Sequence, residues 1–309
     1  MKLRNAAAAA VGAVGATAAA NRALASRAEP FEPFLDGDRG TYRWRGFDVG
    51  YAERGDPEDQ DLLLLHGISA AASSHQFWRV HDELSEEYHV IAPDLPGFGH
   101  SDRPPLLYSA SLYTTFVEDA VADLVDDPVV VASSLTGAYA AEAIDDEASR
   151  LVLVAPTDDT PGGGRWLRAL LRSPVLGEGL FNLLVSKPAI RRFSADHGYA
   201  DPANHTDAVL EHEWLTAHQD GARFAPAGFL SGDLDPETPL AESLADVSAP
   251  VVLVWGRDGH TTPLSEGRHL AREAGAGLVV FDDTKLLPHV EHPEAFVEVL
   301  GGDLTTTTA

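Results

Sequence analysis

Val129-Val130-Val131-Ala132-Ser133-Ser134-Leu135-Thr136-Gly137 is an apolar run that ends in small residues just before helical spacing begins. Val129 to Ala132 is β-branched and too short for a helix, so it predicts a central strand. A serine on a strained strand-to-helix turn needs small residues two positions before and after it, because strand and helix pass closely there. Those flanks are Ala132 and Thr136. Alanine suits the turn, whereas threonine is bulkier and β-branched. Serine also caps helices very commonly, so Ser133 and Ser134 alone would read as ordinary capping residues.

Working outward, short apolar runs alternate with amphipathic segments in a β then α rhythm from residue 42 onward. The expected strands are Tyr42 to Trp44, Phe47 to Ala52, Leu62 to His66, Val90 to Ala92, Val129 to Ala132, Leu151 to Ala155, Val251 to Trp255 and Leu278 to Phe281. Arg45-Gly46 reads as the turn joining the first two. This rhythm predicts an α/β fold, a mainly parallel eight-stranded sheet with helices on both faces. Helices are expected near Gln76 to Glu86 and over Ser111 to Val125. Between Thr157 and Pro250 the strand rhythm lapses, and Trp166 to Leu176, Gly179 to Val185 and Ala208 to His218 carry helical spacing. The expected organisation is a core over 29–156 and 249–300, a helical lid inserted over 157–248 and a disordered tail over 301–309.

The formal net charge is −26, and lysine occurs only at Lys2, Lys187 and Lys285. Such a surface repels nucleic acid and anionic lipid headgroups, so nucleic-acid binding is not expected. The composition resembles that of proteins from salt-loving archaea, where concentrated salt shortens the Debye length to about 3 Å at 1 M and screens acidic self-repulsion. Absence of cysteine removes disulfides and thiolate chemistry. Residues 1–28 place basic Lys2 and Arg4 before an alanine-glycine run ending at Ala20. That run is short against the roughly 20 apolar residues a bilayer span needs, and it reads either as a frayed helical leader or as a membrane anchor through residues 3–20. The expected location is cytoplasmic, with membrane association through that segment as the open alternative.

Two further segments give Ser134 its weight. Leu64-Leu65-His66-Gly67-Ile68 is a strand ending in His-Gly, and Ala92-Pro93-Asp94-Leu95-Pro96-Gly97-Phe98-Gly99-His100-Ser101-Asp102-Arg103-Pro104 is a glycine-rich turn. Together with the elbow they resemble the α/β-hydrolase superfamily, in particular its capped esterase, epoxide hydrolase and haloalkane dehalogenase members. The resemblance covers about Tyr42 to Leu300. It implies an oxyanion hole from the amides of Ile68 and Leu135, and a serine at the elbow implies acyl rather than dehalogenase chemistry. His66 reads as a structural residue of its turn.

The same resemblance places an acid after Trp255 and a histidine after Phe281. Family members read W-G-x-x-D, and this chain reads Trp255-Gly256-Arg257-Asp258-Gly259, putting Gly259 in the acid position and Asp258 one residue early. Asp158 is the alternative acid. Family members read G-H-x-P-H-x-E-x-P, and here Leu286 holds the first histidine's position while His289 matches the second. His289 or His260 would therefore serve as base, or no base exists. Glu211-His212-Glu213-Trp214 with His218 has helical spacing that suggests a metal site, but surface polarity explains it more simply. No metal or cofactor is expected. Two functions follow: a serine hydrolase acting on a small apolar ester through Ser134, His289 and Asp258, or a decayed member of the fold that binds a ligand or partner.

Overall fold

The computed structural model describes residues 2–28 and 31–302. β1 (Asp38–Trp44), β2 (Phe47–Arg54), β3 (Asp61–Leu65), β4 (His89–Pro93), β5 (Val129–Ser133), β6 (Arg150–Val154), β7 (Val251–Gly256) and β8 (Gly277–Phe281) form one sheet. Their order is β1-β2-β4-β3-β5-β6-β7-β8. The β1–β2 and β2–β4 pairs are antiparallel and the remaining pairs are parallel, as expected for a mainly parallel sheet. β1 begins at Asp38, earlier than hydrophobicity suggests, because its backbone pairs with β2 out to Glu53. Arg45 and Gly46 both take positive φ (44° and 96°), the signature of a tight hairpin turn.

Alternation along the inner strands feeds a core on each face. Leu63, Leu65, Val130 and Ala132 pack on one side, and Leu62, Leu64, Val129 and Val131 on the other. The helices are α1 (Lys2–Arg27), α2 (His81–Leu84), α3 (Ala110–Leu124), α4 (Leu135–Ala143), α5 (Gly164–Arg172), α6 (Leu176–Leu184), α7 (Lys187–Phe193), α8 (Asp207–Ala217), α9 (Phe224–Ser231), α10 (Leu240–Asp246), α11 (Leu264–Ala274), α12 (Pro288–Glu291) and α13 (Pro293–Gly301). Tyr113 and Phe116 of α3 and Tyr139 of α4 fill the first core, while Phe296 of α13 fills the second. The helix expected over Gln76 to Glu86 is instead a short 3-10 turn at Ser74–Phe77 followed by α2. Its start is pinned, since the Ser74 amide donates to Asp94 at 2.7 Å and the Gln76 side chain is drawn back toward Gly67.

α5 to α10 lie between β6 and β7, and no strand interrupts them among the described residues. Ser173-Pro174 separates α5 from α6. The leader folds as helix α1. α1 docks on the insertion through Asn21, which donates to the Val175 carbonyl at 3.0 Å and accepts from Asn182 at 3.1 Å. Among the described residues no helix is long and apolar enough to cross a membrane. The expected disordered tail lies, from residue 303 on, outside the described residues.

The Asp94 turn is held by one carboxylate. Asp94 accepts from the amides of Ser74 and His100, each at 2.7 Å. Burial alone would raise its pKa, but the His100 side chain, nearby His66 and those amides outweigh it and hold the carboxyl well below the usual range. A side chain at Gly99 (φ 50°) would collide with this carboxylate, its Cβ lying 2.0 Å from the Asp94 Cγ. Glycine is required there.

His289 lies fully inside the second core between Phe77 and Phe296, with ring centroids 5.2 and 5.5 Å away. Among the described residues neither ring nitrogen makes a well-formed hydrogen bond, although the Gln76 backbone lies close to the ring. Burial pushes the imidazole down to about 3, the Gln76 backbone offsetting only part of that. The unfolded chain takes up a proton at the ordinary value of about 6.5, which the folded chain refuses until about 3. Between those values the unfolded state binds more protons, so stability rises with pH and is lost as pH falls. His289→Leu is therefore expected to match or exceed the parent in stability at pH 7. On acidification to pH 4.5, denaturant titrations should show it losing less, by about 1 kcal/mol per pH unit.

Candidate active site

β5 ends at Ser133, and Ser134 turns the chain into α4 with φ 53° and ψ −130°, a strained conformation for a residue with a side chain. The turn is locked on both sides. The Ser134 amide donates to the Val154 carbonyl at 2.9 Å, and its own carbonyl accepts from the Gly137 amide at 2.9 Å. Close passage is met by glycines: a Cβ on Gly67 would sit 3.2 Å from the Ser134 Cβ, and one on Gly137 would sit 2.9 Å from the Pro156 Cβ. Thr136 fits despite its bulk because its buried hydroxyl donates to the His66 carbonyl at 2.7 Å. It ties the elbow to the neighbouring loop.

That loop is fastened twice more. The Leu95 amide donates to His66 Nε2 at 2.9 Å, which leaves the ring proton on Nδ1, 2.8 Å from the Gly67 carbonyl. Burial pushes His66 down to about 4, so it stays neutral and structural at ordinary pH. Gln76 accepts from the Gly67 amide at 2.7 Å through Oε1 and donates to the Ser133 hydroxyl at 3.1 Å through Nε2. This clamp between the two halves of the site had no signal in the sequence. Among the described residues, neither the Ile68 nor the Leu135 amide is spent on a protein acceptor.

Ser134 and Ile68 line a cavity of about 270 Å³ between the elbow and the insertion. Leu184, Val185, Ile190, Phe193, Leu286 and Leu287 supply much of its apolar wall. The half-buried Ser134 makes no side-chain bond that caps α4. Among the described residues no lysine or arginine lines the cavity, and Glu213 is its one carboxylate.

The remaining expected residues lie elsewhere. His289 is sealed in the core and does not line the cavity. His260 is exposed on its loop, and Asp258 is likewise off the cavity wall, its amide bound to the Thr284 carbonyl at 2.9 Å. Gly259 occupies a tight turn in which a Cβ would lie 3.0 Å from the Thr262 carbonyl oxygen. That same carbonyl accepts from the Trp255 indole at 2.8 Å. Asp158 accepts from the Leu240 amide at 2.8 Å and so caps α10. Leu286 stands on the wall, its amide bound to the Gly198 carbonyl at 3.1 Å. Glu291 holds the Lys285 amide at 3.0 Å and the Ala200 amide at 2.9 Å, joining this loop to the insertion.

The reading of α8 as a polar surface is corrected. His212 is buried, and Glu213 is largely buried and faces the cavity, because both meet a polar group on the opposite wall. The Ser73 hydroxyl lies 2.6 Å from His75 Nδ1 and 3.2 Å from His212 Nε2. His75 Nε2 lies 3.7 Å from one Glu213 oxygen, and His205 Nε2 lies 2.8 Å from the other. Burial would raise the Glu213 pKa, but the His205 hydrogen bond and the nearby His75 imidazole outweigh it and hold the carboxyl below its usual value. Burial pushes His212 down to about 2, which keeps it neutral with Nε2–H free to donate to Ser73. The set is satisfied when Ser73 donates to His75 Nδ1 while His75 carries its proton on Nε2 facing Glu213. Among the described residues no group of three or more His, Cys, Asp or Glu is arranged to hold a metal ion.

The sequence pattern of the alpha/beta hydrolase family matches residues 62–299. A 2-hydroxy-6-oxononadienedioate/2-hydroxy-6-oxononatrienedioate hydrolase of Klebsiella pneumoniae is 26% identical over 280 residues, spanning 86% of this chain and 93% of that protein. Among solved structures, a 2-hydroxy-6-oxo-6-phenylhexa-2,4-dienoate hydrolase from Rhodococcus sp. strain RHA1 superposes with a TM-score of 0.68 at 21% identity, covering 86% of this chain and 97% of that one. An esterase from Rhodococcus sp. ECU1013 gives 0.64 at 20% identity, covering 85% and 96%. With its sheet order, its elbow and a sequence match over most of its length, this chain belongs to the alpha/beta hydrolase family.

Proposed function

We propose that this family member hydrolyses a small, neutral, mostly apolar ester or lactone-like substrate, with Ser134 as nucleophile. The observation that carries this is the strained φ of Ser134 on the wall of an apolar cavity. Strain of this kind costs of order 1–3 kcal/mol and persists where function uses it. The Ile68 and Leu135 amides hold the developing oxyanion. Among the described residues the cavity wall has no lysine or arginine and does include Glu213, which favours uncharged substrates. In this it departs from the Klebsiella relative, whose substrate name denotes a dicarboxylate.

The proton acceptor in this scheme is His75, the one histidine on the cavity wall among the described residues. Ser134 Oγ bonds to the acyl carbon, and its proton reaches His75 Nδ1 through the Ser73 hydroxyl. Glu213 stabilises the resulting imidazolium. The proton then passes to the leaving alkoxide, and water repeats the sequence to release the acid. A ligand-binding protein without chemistry is the second reading, favoured by Leu286 on the wall and the sealed His289.

Fluorophosphonate labelling with peptide mapping separates the two. Labelling at Ser134 that vanishes in Ser134→Ala supports the hydrolase; a folded chain that takes no label supports binding alone. His75→Gln should slow labelling of Ser134 by at least about 100-fold, and added imidazole should partly restore His75→Ala. Labelling at the parental rate in His75→Gln would remove His75 from the scheme and leave Ser134 in place. A nitrophenyl butyrate should turn over at least about tenfold faster than an ester carrying a carboxylate on its acyl chain.

A further inference from the structure

The large apolar side chains exposed among the described residues sit on α1, on α5 to α7 and on one loop tied to them. Trp166 and Leu183 are each 70% exposed, Leu176 55% and Phe193 52%, all on α5 to α7. Among the described residues the others are Val14 on α1, Leu170 and Leu184 on the same insertion helices, and Leu106 and Leu107. Arg172 of α5 ties that last loop to the insertion, donating to the Leu106 and Pro105 carbonyls. Scattered single apolar residues need no explanation, but a concentration on contacting helices does.

Charge is divided along the same line. Residues 2–27 and 161–193 hold ten of the chain's 22 basic residues and one, Glu178, of its 48 acidic ones. Four of the ten pair with acids outside those segments: Arg168 with Asp233, Lys187 with Glu211, Arg191 with Asp207 and Arg192 with Asp196. Exposed Arg22, Arg27 and Arg165 have no carboxylate partner among the described residues. In a protein of net charge −26, these segments carry more basic than acidic residues, so an anionic surface can approach them without meeting excess carboxylate.

α1 and the insertion form one body. Beyond the Asn21 bonds, a Cβ on Gly179 of α6 would lie 2.7 Å from the Thr17 methyl, so the helices cross in close contact. Leu184 and Phe193 are both exposed and part of the cavity wall, so the cavity mouth opens on this face. We propose that α1 and the outer side of α5 to α7 are an interfacial surface that lies on an anionic phospholipid bilayer and presents the cavity mouth to it. Trp166, Leu176, Leu183 and Phe193 enter the headgroup region, and the arginines around them meet lipid phosphates. This surface stands independently of whether Ser134 is a nucleophile.

The test is flotation of the full chain with vesicles of phosphatidylcholine alone or of phosphatidylcholine mixed with phosphatidylglycerol, circular dichroism confirming the fold of each variant. Flotation is expected with the anionic vesicles, weakening as KCl is raised. Trp166→Ser with Leu183→Ser should lower partitioning by at least about tenfold. Arg22→Glu with Arg165→Glu, both at exposed positions, should lower it by at least about fivefold per site. Absence of flotation, flotation insensitive to both pairs, or equal flotation with uncharged vesicles would overturn the proposal. So would a dimer in analytical ultracentrifugation that the Trp166→Ser, Leu183→Ser pair dissolves, because the face would then be covered by a second copy.

Discussion

Ser134 and Gly67 approach each other so closely that a single added methyl group would lie 3.2 Å from the serine Cβ. The turn at Ser134 is unfavourable on its own, and three neighbours over-determine it: the Val154 carbonyl, the Thr136–His66 bond and the Gln76 clamp. Each joins the elbow to an element from another part of the chain. The site is therefore assembled by sheet order, since β3 and β5 must be adjacent and parallel for Gly67 to reach Ser134. The Asp94 turn serves the same end from the other side, because it holds both Ser74 and the loop that supports His66.

β3 to β8 were legible because a buried parallel strand is written as a short continuous apolar run, and the antiparallel β1 and β2 were marked by the Arg45-Gly46 turn between them. The elbow was legible for a related reason: its small residues sit at fixed offsets from one strand. The His75–Glu213 pairing was not legible. Its members are 138 positions apart and each has a bland local explanation, His75 in a polar turn and Glu213 on a helix with other charged residues. Periodicity assigns a helix face as polar without saying whether that face meets water or another polar group. α8 met the latter.

The two histidine environments show how the same side chain is pushed into different roles. His289 has aromatic neighbours and no acceptor, so it pays desolvation without recovering hydrogen bonds and stays neutral. His75 is also buried, yet it has a hydroxyl on one nitrogen and a carboxylate near the other. The Glu213 carboxyl is held below its usual value by the His205 hydrogen bond and the nearby His75 imidazole, which together outweigh burial. Resemblance in sequence marked His289, while the histidine that lines the cavity with a hydroxyl and a carboxylate beside it is His75.

Composition averages hide a comparable asymmetry in the charge. A net charge of −26 argues against any anionic partner when the protein is treated as a point. At physiological ionic strength, however, the Debye length is about 8 Å, well short of the breadth of a domain this size. A bilayer touching α1 and the insertion would respond to the residues within that distance, and there the basic side chains outnumber the acidic ones in sequence. Carboxylates on the far side of the sheet are screened from it. The sign of the local field is then set by which segments face the partner, so an acidic protein can carry a face suited to anionic lipid.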